Sequence, residues 1–463
     1  MIAAALPAAI TDLLRALWGA GHAGYVVGGS LRDLLLGRAP ADWDLATDAR
    51  PERIVTLFPG AHCENRFGMV ALPRGGATCE ITTFRADGTY SDFRRPDEVL
   101  FSGRIEDDLA RRDFTVNAIA WGAGPPAAPG PPAAPGPRAT VVPALVDPFG
   151  GVADLRAGVL RAVGDPAARI REDALRMLRA VRFAATLDFH VDAATLAAIH
   201  DAAPLAAHVS AERTYAELSK LLGATAPSVG LRLAEETGLL AVIAPELARQ
   251  RGIPQAKVAA GDLWDHTCRT VDASPPPPEA PAHLRLAALV HDIGKPATFA
   301  DGHFVGHETV GAELAGAWLE ELRAPRATSE RVVHLVRHHM FSYDPAWSEA
   351  AVRRFLRRIG PSALDDLLAL RAADNVGSGL PTGAGGLAEL RARCRDQLAR
   401  HVPLERGDLA VNGDDLARAL GMVPGPALGR LIDALLERVI ADPLLNDRAR
   451  LLDLAHALHR EHG

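Results

Sequence analysis

The alternation of apolar and polar residues predicts strands in the first third of the chain and helices after it. Between Tyr25 and Thr47 a short apolar run meets two adjacent glycines, an amphipathic segment follows, and an extended run closes the stretch. Strand-like composition returns at 69–72 and 78–85, and the glycines between these runs indicate a hairpin. From about residue 165 the apolar residues recur with helical spacing. The pattern therefore predicts an α+β protein in which an N-terminal sheet domain precedes an all-α body.

Length and composition indicate a multidomain protein of the soluble globular class. The 463 residues exceed what one ordinary core accommodates, and 23% of them are charged while 48% are hydrophobic. No apolar run approaches the roughly 20 residues that a membrane span requires. Asp12 and Arg15 interrupt the apolar start of the chain, so it predicts an amphipathic helix rather than a secretory signal. The cytoplasm is therefore the expected compartment.

Charge and cysteine usage narrow the functional classes further. The four cysteines form no CxxC pair, so the sequence predicts neither a disulfide framework nor a zinc knuckle. The net charge is −7, and any nucleic-acid partner would have to be held by local basic surface. A tract of Pro, Ala and Gly at 122–142 predicts a surface insertion within a hairpin, and we assign it no chemistry.

The stretch from Tyr25 to Thr47 combines a phosphate-binding pattern with a pair of carboxylates. Glycines before the amphipathic segment let a phosphate approach the backbone, and the amide groups that open a helix favour anions. Asp42 and Asp44 are one residue apart in the extended run that follows, so their side chains point to the same side. Paired oxygen ligands suit Mg²⁺, and two metal ions can stabilise the attacking and leaving oxygens of a nucleotidyl transfer.

Either pattern alone is usually structural, but their combination resembles the first motif of a known family. The motif residues are Gly28, Gly29, Ser30, Arg32 and Asp33, then Leu36 and Gly37, then Asp42, Asp44 and Thr47. They resemble the polymerase-β-like nucleotidyltransferases of the CCA-adding and poly(A) polymerase family, in its bacterial-type branch. The resemblance implies that Asp42 and Asp44 hold Mg²⁺, with Glu80 on the matching strand as a third catalytic carboxylate. It also implies nucleotide binding by Gly28, Gly29, Ser30 and Arg32.

Three further segments of the sheet domain resemble the same family. The second family motif, in which arginine and its neighbours contact triphosphate and ribose, is matched by Arg111, Arg112, Asp113 and Asn117. Without the first motif, we would interpret these charged residues as an ordinary helix cap. The polar segment 86–110 resembles the loop that helps the active site change from CTP to ATP, and 147–155 resembles the hinge that closes the catalytic head. Residues 64–68 look closer to the CCA-adding than to the poly(A) branch.

Charged residues at 171–183 recur every third position, which on a helix keeps them along one face. They are Asp173, Arg176, Arg179 and Arg182. One interpretation is a solvated face with i,i+3 pairs. The other is a nucleobase template, because a carboxylate and a guanidinium together can pair with cytosine or adenine. The resemblance to the family motif EDxxRxxR implies the template role for Asp173 and Arg176, and we assign all four residues to nucleotide binding. The segment 210–218 resembles the next motif, which braces this helix.

Histidines concentrate in the second half of the chain, with eight of the 17 between His266 and His339. Imidazoles and carboxylates brought together from several helices suit a transition metal that activates water. The order H, HD, H, HH, D resembles the HD phosphohydrolase superfamily, and some bacterial CCA-adding enzymes carry such a domain with phosphatase and cyclic phosphodiesterase activity. We expect His266, His291, Asp292 and Asp374 as core ligands, with His307 and His338 at a second metal. Spacing alone does not decide between His338 and His339.

Together these patterns predict four domains. They are a nucleotidyltransferase head at 1–150, a helical template and body region at 151–260, an HD domain at 261–375, and a helical tail at 376–463. In the family the tail reaches toward the tRNA elbow. A basic stripe at 353–358 could touch phosphate, although solvated helix surface is an equal interpretation.

The expected function is addition of C and A nucleotides to the tRNA 3′ end from CTP and ATP, with release of pyrophosphate. Its partners would be tRNA, CTP and ATP, with no membrane. A specialised A-adding, CC-adding or poly(A) polymerase relative is the near alternative, and the full-length segment 86–110 argues against CC-only addition. An HD phosphohydrolase with a nucleotide-sensing N-terminal domain is disfavoured by the intact Asp42 and Asp44. An RNA-binding module without catalysis is disfavoured by the two complete ligand sets.

Overall fold

A computed structural model of the chain describes residues 2–40, 42–63, 68–74, 77–87, 99–125 and 141–462. The chain divides into two compact units, residues 1–245 and 246–463, which we call the N-terminal and C-terminal units. The predicted division into four domains is finer than this split and stays a prediction. No helix in the described ranges is both long and apolar enough to cross a membrane. Parts of three predicted features lie outside the described residues, namely 64–67 of the segment 64–68, 88–98 of the segment 86–110, and 126–140 of the tract 122–142.

The N-terminal unit is built on a seven-stranded sheet with the order β3-β4-β5-β2-β1-β8-β9. Its strands are β1 (Gly24–Val27), β2 (Trp43–Thr47), β3 (His62–Cys63), β4 (Met69–Arg74), β5 (Ala77–Thr83), β8 (Ala120–Ala123) and β9 (Ala144–Val146). Two short ladders accompany it, β6 (Arg85–Asp87) with β7 (Val99–Phe101), and β10 (Val159–Leu160) with β11 (His190–Val191). Within the sheet β2 and β5 are parallel and the other described pairs are antiparallel. The strand, helix, strand order predicted for Tyr25–Thr47 is confirmed.

Apolar side chains that alternate along the strands are buried on both faces of the sheet. Val26, Leu45 and Ile81 are fully buried on one face, where helix α2 (Ala8–Gly19) packs. Tyr25 and Phe84 belong to the cluster on the other face. Because β1 is buried throughout and pairs on both sides, the segment that follows it is held at a fixed point of the sheet.

Helices make up most of the remaining chain. In the N-terminal unit they are α1 (Ile2–Ala5), α2 (Ala8–Gly19), α3 (Gly28–Leu35), α4 (Pro51–Leu57), α5 (Ile105–Ala110), α6 (Gly151–Ala157), α7 (Pro166–Glu172), α8 (Leu175–Leu187), α9 (Ala193–Ala202), α10 (Ala211–Leu222), α11 (Pro227–Glu236) and α12 (Leu239–Ile243). Helix α13 (Pro245–Ala248) begins at the boundary between the units.

The C-terminal unit contains α14 (Leu263–Ala273), α15 (Ala282–Val290), α16 (Lys295–Thr298), α17 (His307–Glu321), α18 (Arg326–His338), α19 (Glu349–Ile359), α20 (Leu364–Gly377), α21 (Leu387–Ala399), α22 (Gly413–Leu420), α23 (Pro426–Ala441) and α24 (Arg448–His462). Short 3₁₀ helices occur at Thr115–Asn117, Ala203–His208, Pro361–Ala363, Arg406–Asp408 and Pro443–Leu445. The predicted α+β class, with a sheet domain before a helical body, is confirmed. The body is not purely helical, because the two-residue ladder of β10 and β11 lies within it.

Two predicted local structures differ from those observed. The segment 86–110 was expected as a loop ending in a helix start, but its described parts also form the β6–β7 pair, to which the apolar run Val99–Phe101 contributes. The helix expected across 171–183 is broken at Asp173, which has extended backbone angles. The Asp173 side chain accepts a hydrogen bond from the amide of Leu175 at 3.1 Å. A short carboxylate that bonds the backbone two residues on competes with the helix and starts a new one.

The basic stripe at 353–358 is largely paired inside the C-terminal unit. Arg353 is buried, and its Nε donates to the carbonyl oxygen of Ile440 at 2.6 Å, near the end of α23. Arg354 and Arg357 both donate to the carboxylate of Glu437. These contacts pair three of the four arginines within the C-terminal unit, and phosphate contact by the stripe stays a prediction.

Candidate active site and candidate metal centre

A cleft of about 380 Å³ in the N-terminal unit brings together side chains from β2, β5, the segment after α5 and helix α8. A volume of this size lies within the range of small-molecule sites. The predicted site residues that line it are Asp44, Glu80, Arg111, Arg112, Asp113, Asp173, Arg176 and Arg179. Thr82, Arg85 and Arg213 also line it and were not predicted. Residues almost 170 positions apart in sequence thus face one cavity.

The sheet register places two of the predicted carboxylates side by side. Asp44 and Glu80 are direct partners in the parallel pair of β2 and β5. Asp42 is exposed, immediately before β2, and its charge helps to raise the pKa of Asp44. Burial is the main cause that raises the pKa of Asp44, and Arg112 opposes it. A divalent cation beside Asp44 would remove the cost of its buried charge, so the residues fit a metal ion.

The start of α3 shows why glycine is needed after β1. Gly28 has a φ of 68°, and a Cβ added there would lie 2.6 Å from Nη1 of Arg112 and 3.3 Å from Oδ2 of Asp44. Gly29 follows in the first turn of α3. The Ser30 hydroxyl donates to the Val27 carbonyl at 2.9 Å and accepts from the amide of Asp44 at 3.3 Å. Gly28 therefore leaves room for Arg112 and Asp44 of the cleft, while Ser30 bonds the backbone amide of Asp44.

A buried chain of charged and amide groups connects α3 with α8. Nη1 of Arg32 donates to Oδ1 of Asn117 at 2.8 Å, and Nδ2 of Asn117 donates to Oδ1 of Asp113 at 3.0 Å. Arg179 then donates through Nε to Oδ2 of Asp113 at 2.7 Å. Burial opposes ionisation of Asp113, but Arg179 and Asn117 outweigh it and hold the pKa of this carboxyl well below its usual range. Of these four predicted residues, Arg32 and Asn117 support the wall of the cleft without lining it.

Asp108 holds the two arginines of the second motif and was missed by the sequence reasoning. Its side chain is fully buried; Oδ1 accepts from Nη2 of Arg111 at 2.6 Å, and Oδ2 accepts from Nη2 of Arg112 at 3.2 Å. The signal was present, because Asp108 precedes these arginines by three and four residues, the spacings at which helical side chains meet. The ion pairs leave both guanidinium groups at the cleft wall.

The predicted template residues are held by side chains from α7 and α10. Oδ2 of Asp173 accepts from Nη2 of Arg213 at 2.7 Å. Arg176 is buried, and its Nη2 donates to the carbonyl oxygen of Arg111 at 2.9 Å. These contacts bear out the expectation that the segment 210–218 braces the template helix. Arg182 does not line the cleft; it pairs with Glu217 at 2.5 Å.

The C-terminal unit contains two adjoining groups of possible metal ligands. The first comprises His266, His291 and Asp374, and the second comprises Asp292, His307 and His339. All six side chains are buried, and within each group the ligand atoms lie within 4.8 Å of one another. Oδ2 of Asp292 is 3.3 Å from Nε2 of His266, so this aspartate also adjoins the first group. In the described part of the chain these are the groups of three or more such residues that converge in this way.

His338 was predicted at the second metal, and the structure places His339 there instead. Helix α18 buries Val332, Leu335 and Val336, and His339 continues this face at the spacing of three, four and seven residues. His338 packs against His334 on a different face. Burial, followed by the neighbouring His334, lowers the pKa of His338 to about 4. The apolar periodicity of α18 is the signal that would have selected His339.

Backbone carbonyls orient three of the four clustered imidazoles. Nδ1 of His291, His307 and His339 lies 2.7–2.8 Å from the carbonyl oxygen three residues earlier. Such a bond places the proton on Nδ1 and leaves the Nε2 lone pair for a metal. The Nε2 atoms do converge, with those of His266 and His291 3.1 Å apart and those of His307 and His339 3.4 Å apart. Nitrogen and carboxylate donors in this arrangement fit divalent transition metals.

Cationic side chains compensate the buried carboxylates of this centre. Nζ of Lys295 lies 2.7 Å from Oδ2 of Asp292. Burial opposes ionisation of Asp292, but His291 and Lys295 hold the pKa of this carboxyl well below its usual range. Asp374 is likewise kept ionised, with a pKa lowered against burial by His266 and other neighbours. Two ionised carboxylates are thus present where a metal would need them.

Family models match consecutive parts of the chain. The Poly A polymerase head domain matches residues 24–161, and the model "Probable RNA and SrmB- binding site of polymerase A" matches residues 188–251. The HD domain matches residues 239–377, and a model of tRNA nucleotidyltransferase domain 2 matches residues 310–455.

Known proteins are similar to the chain over most of its length. The CCA-adding enzyme of Geobacillus stearothermophilus is 32% identical over 93% of this chain and 92% of its own. The CC-adding tRNA nucleotidyltransferase of Thermus thermophilus is 36% identical over 89% of this chain and 88% of its own. The crystal structure of the Bacillus stearothermophilus CCA-adding enzyme in complex with CTP has a TM-score of 0.70 at 30% identity, and covers 98% of this chain and 97% of its own.

Proposed function

The chain belongs to the family of CCA-adding tRNA nucleotidyltransferases, and we propose that its N-terminal cleft adds C and A to the tRNA 3′ end from CTP and ATP. The observation that supports this most is the cleft itself, where Asp44 and Glu80 face Arg111, Arg112 and the template segment. The relative from Geobacillus is a CCA-adding enzyme, and the solved structure from Bacillus is in complex with CTP. An enzyme that acts on tRNA with CTP and ATP is expected in the cytoplasm.

The reaction joins the terminal tRNA hydroxyl to an incoming nucleotide. The 3′ oxygen attacks the α-phosphorus, the bond from that phosphorus to the bridging oxygen of the β-phosphate breaks, and pyrophosphate leaves. Nucleotidyltransferases of this kind use divalent metals, and we assign Mg²⁺ to Asp42 and Asp44, where it would neutralise charge on the attacking and leaving oxygens. Glu80, beside Asp44 in the sheet, is the third carboxylate at this position.

The side chains of the cleft orient the nucleotide in this reaction. Arg111 and Arg112, fixed by Asp108, present guanidinium groups to the triphosphate, for which planar bidentate donors are well suited. Asp173 accepts from the exocyclic amino group of cytosine or adenine, and Arg176 donates to the ring edge. Both residues are held by neighbouring side chains, so the template is set before the nucleotide binds.

Nucleotide addition to truncated tRNA tests the proposal. Purified protein is incubated with tRNA that lacks its 3′ CCA, together with CTP, ATP or both, and the products are sized. We expect two added nucleotides with CTP alone and three with both. A product that stops at CC in the presence of ATP would identify a CC-adding enzyme like the Thermus relative. A long adenosine tail or no elongation would contradict CCA addition.

We further propose that the buried histidine and aspartate groups form a metal-dependent phosphohydrolase centre. The supporting observation is the convergence of two ligand groups around Asp292 within the region that matches the HD domain. A divalent transition metal held there would activate water for attack on a phosphate ester. Replacing His291 and Asp292 together by Ala should abolish metal-dependent hydrolysis of 2′,3′-cyclic nucleotides or phosphate monoesters and leave nucleotide addition largely intact. Loss of addition with retained hydrolysis would assign the cluster to the fold or to the transferase.

A further inference from the structure

The loop that precedes α14 carries a lysine to the edge of the metal centre. Nζ of Lys257 donates to the hydroxyl of Ser378 at 2.9 Å and lies 3.8 Å from Oδ1 of Asp374. Ser378 in turn donates to the same carboxylate oxygen at 3.3 Å. That oxygen is 3.3 Å from Nε2 of His266, so it faces the first ligand group. Lys257 belongs to no motif identified in the sequence.

The position of Lys257 is set by contacts between its loop and the end of α20. The amide of Ala259 donates to the carbonyl oxygen of Ser378 at 3.0 Å. A Cβ added at Gly379, where φ is 82°, would lie 2.6 Å from the Ala259 nitrogen. Arg269 of α14 donates to carbonyl oxygens on both the loop and the end of α20. The loop is therefore fixed to the helix that carries Asp374.

Three cationic side chains contact the two carboxylate ligands of this centre before any metal is added. Asp374 contacts Lys257 and Arg371, and Asp292 contacts Lys295. A divalent ion bound by Asp374 would itself compensate the negative charge of this carboxylate. The ammonium group of Lys257 would then face a charge of its own sign at short range, which is unfavourable unless an anion lies between the two.

The two lysines at the centre differ in what they can offer a ligand. Lys295 is 6% exposed, and its ammonium group is taken up by the carboxylate of Asp292. The side chain of Lys257 is 27% exposed, and its hydrogen-bond partner is a neutral hydroxyl. Lys257 therefore keeps donor capacity toward an approaching anion, since an ammonium group has three N–H donors.

We propose that Lys257 is an anion-binding residue of the metal centre and holds an oxygen of the substrate phosphate between its ammonium group and the metal at Asp374. This role rests on the phosphohydrolase activity proposed above. It assigns to the centre an anionic phosphate ester that reaches it from the side of the loop at 252–262. It also assigns a substrate contact to a residue outside the HD sequence pattern.

Phosphate binding by the full-length, Mn²⁺-loaded protein tests this assignment. Inorganic phosphate is titrated calorimetrically into the unmodified protein, Lys257→Met, Lys257→Arg and the charge-matched control Arg249→Met, whose side chain is 68% exposed. We expect Lys257→Met to weaken phosphate binding about tenfold, the effect of losing one charge-assisted hydrogen bond. The number of bound Mn²⁺ ions should stay unchanged. Lys257→Arg should restore most of the affinity, and Arg249→Met should bind phosphate like the unmodified protein.

Three results would overturn the assignment. They are unchanged phosphate affinity in Lys257→Met, loss of Mn²⁺ together with phosphate in that variant, and no phosphate binding by the unmodified protein. Hydrolysis of a phosphate monoester is measured in parallel on the same samples. If the unmodified protein hydrolyses the monoester and Lys257→Met binds phosphate with unchanged affinity, the role of Lys257 is rejected and the phosphohydrolase activity is retained. Absence of hydrolysis would reject the proposed activity, while the phosphate titration would still decide the role of Lys257.

Discussion

The two candidate sites of this chain present their metal ligands in opposite ways. In the N-terminal unit, Asp44 and Glu80 line the cleft from neighbouring strands, and Asp42 is exposed just before β2, outside the cleft lining. These three carboxylates are not among the convergent groups found in the described residues. In the C-terminal unit, six buried side chains converge in two adjoining groups. We call the first the open site, because its carboxylates lie at the wall of a cleft. We call the second the cage, because buried side chains of the protein surround it.

The difference follows from the chemistry that each site is proposed to perform. Mg²⁺ keeps several waters and is usually bound by one or two carboxylates together with substrate phosphates, so an open pair of aspartates is sufficient. Transition metals that activate water are held by imidazoles and carboxylates supplied by the protein. We therefore expect metal binding at the cleft to depend on the nucleotide, and metal binding at the histidine centre to be independent of it.

The largest effect should come from removing a carboxylate at the open site. Asp44→Asn leaves the shape of β2 intact but removes the charge that faces the metal and the α-phosphate. We expect nucleotide addition to fall by about a thousandfold, because preorganised electrostatic groups commonly contribute this much. Hydrolysis at the histidine centre should be unchanged. Addition at more than a tenth of the normal rate would refute the assignment of Asp44.

The next effect should separate two adjacent histidines. His339→Ala removes a ligand of the second group, so the protein should bind about one equivalent of Mn²⁺ fewer in the absence of nucleotide. His338→Ala is the matched control, because this last residue of α18 lies on the face that packs against His334. Metal content is measured on both variants after dialysis. Equal loss of Mn²⁺ from the two variants would contradict the choice of His339 over His338. Loss of Mn²⁺ from His338→Ala alone would assign the ligand role to His338.

The open site could be predicted from sequence more fully than the cage. Its residues fall within short motifs, and the parallel register of β2 and β5 pairs Asp44 with Glu80 as the matching strands implied. Asp108 has the spacing of three and four residues that pairs it with Arg111 and Arg112, but it follows two other acidic residues, and spacing alone does not show that Asp108 is the buried one. The template helix was predicted too long because spacing alone does not show that Asp173 bonds the amide of Leu175.

The cage depends on tertiary structure that local spacing does not carry. The apolar spacing of Val332 and Val336 marks the buried face of α18 and therefore His339, but it does not show that this face meets Asp292 and His307 from other parts of the chain. Lys257 reaches the centre through a loop whose position is set by α20, more than 100 residues later in the chain. Contacts of this kind follow from packing rather than from a motif.

A smaller effect should distinguish a carboxylate that serves arginine from one that serves a metal. Asp113→Asn leaves Arg179 without its ionic partner, and we expect the N-terminal unit to lose about 3 kcal/mol of stability, the lower end of the cost of breaking a buried ion pair. The pKa of Asp113 is lower in the folded protein than in the unfolded chain, so its contribution is full above a pH of about 4 to 5. It declines as the pH falls toward the folded pKa.

Unfolding by urea at several pH values between 6 and 3.5 measures this difference. The gap in unfolding free energy between the unmodified protein and Asp113→Asn should narrow at the acidic end. Adding Mn²⁺ should leave the gap unchanged, because Asp113 contacts Arg179 and Asn117. A gap that widens as the pH falls, or that responds to metal, would contradict the assigned role.

The smallest effect should be a change of base preference at the open site. Asp173→Asn keeps the size of the side chain and an oxygen that can accept from the amide of Leu175, but it replaces one acceptor by an amide donor. Asp173 lies at the edge of the cleft, so the change in stability should be within about 0.5–1 kcal/mol. Discrimination of CTP and ATP against UTP and GTP should fall about tenfold, as expected when one hydrogen bond to the base is lost.

The control Asp165→Asn alters an exposed helix cap outside the cleft, and should leave selectivity intact. If Asp173→Asn selects among the four nucleotides as the unmodified protein does, the aspartate only caps α8 and pairs with Arg213, and the base must be read by other side chains of the cleft.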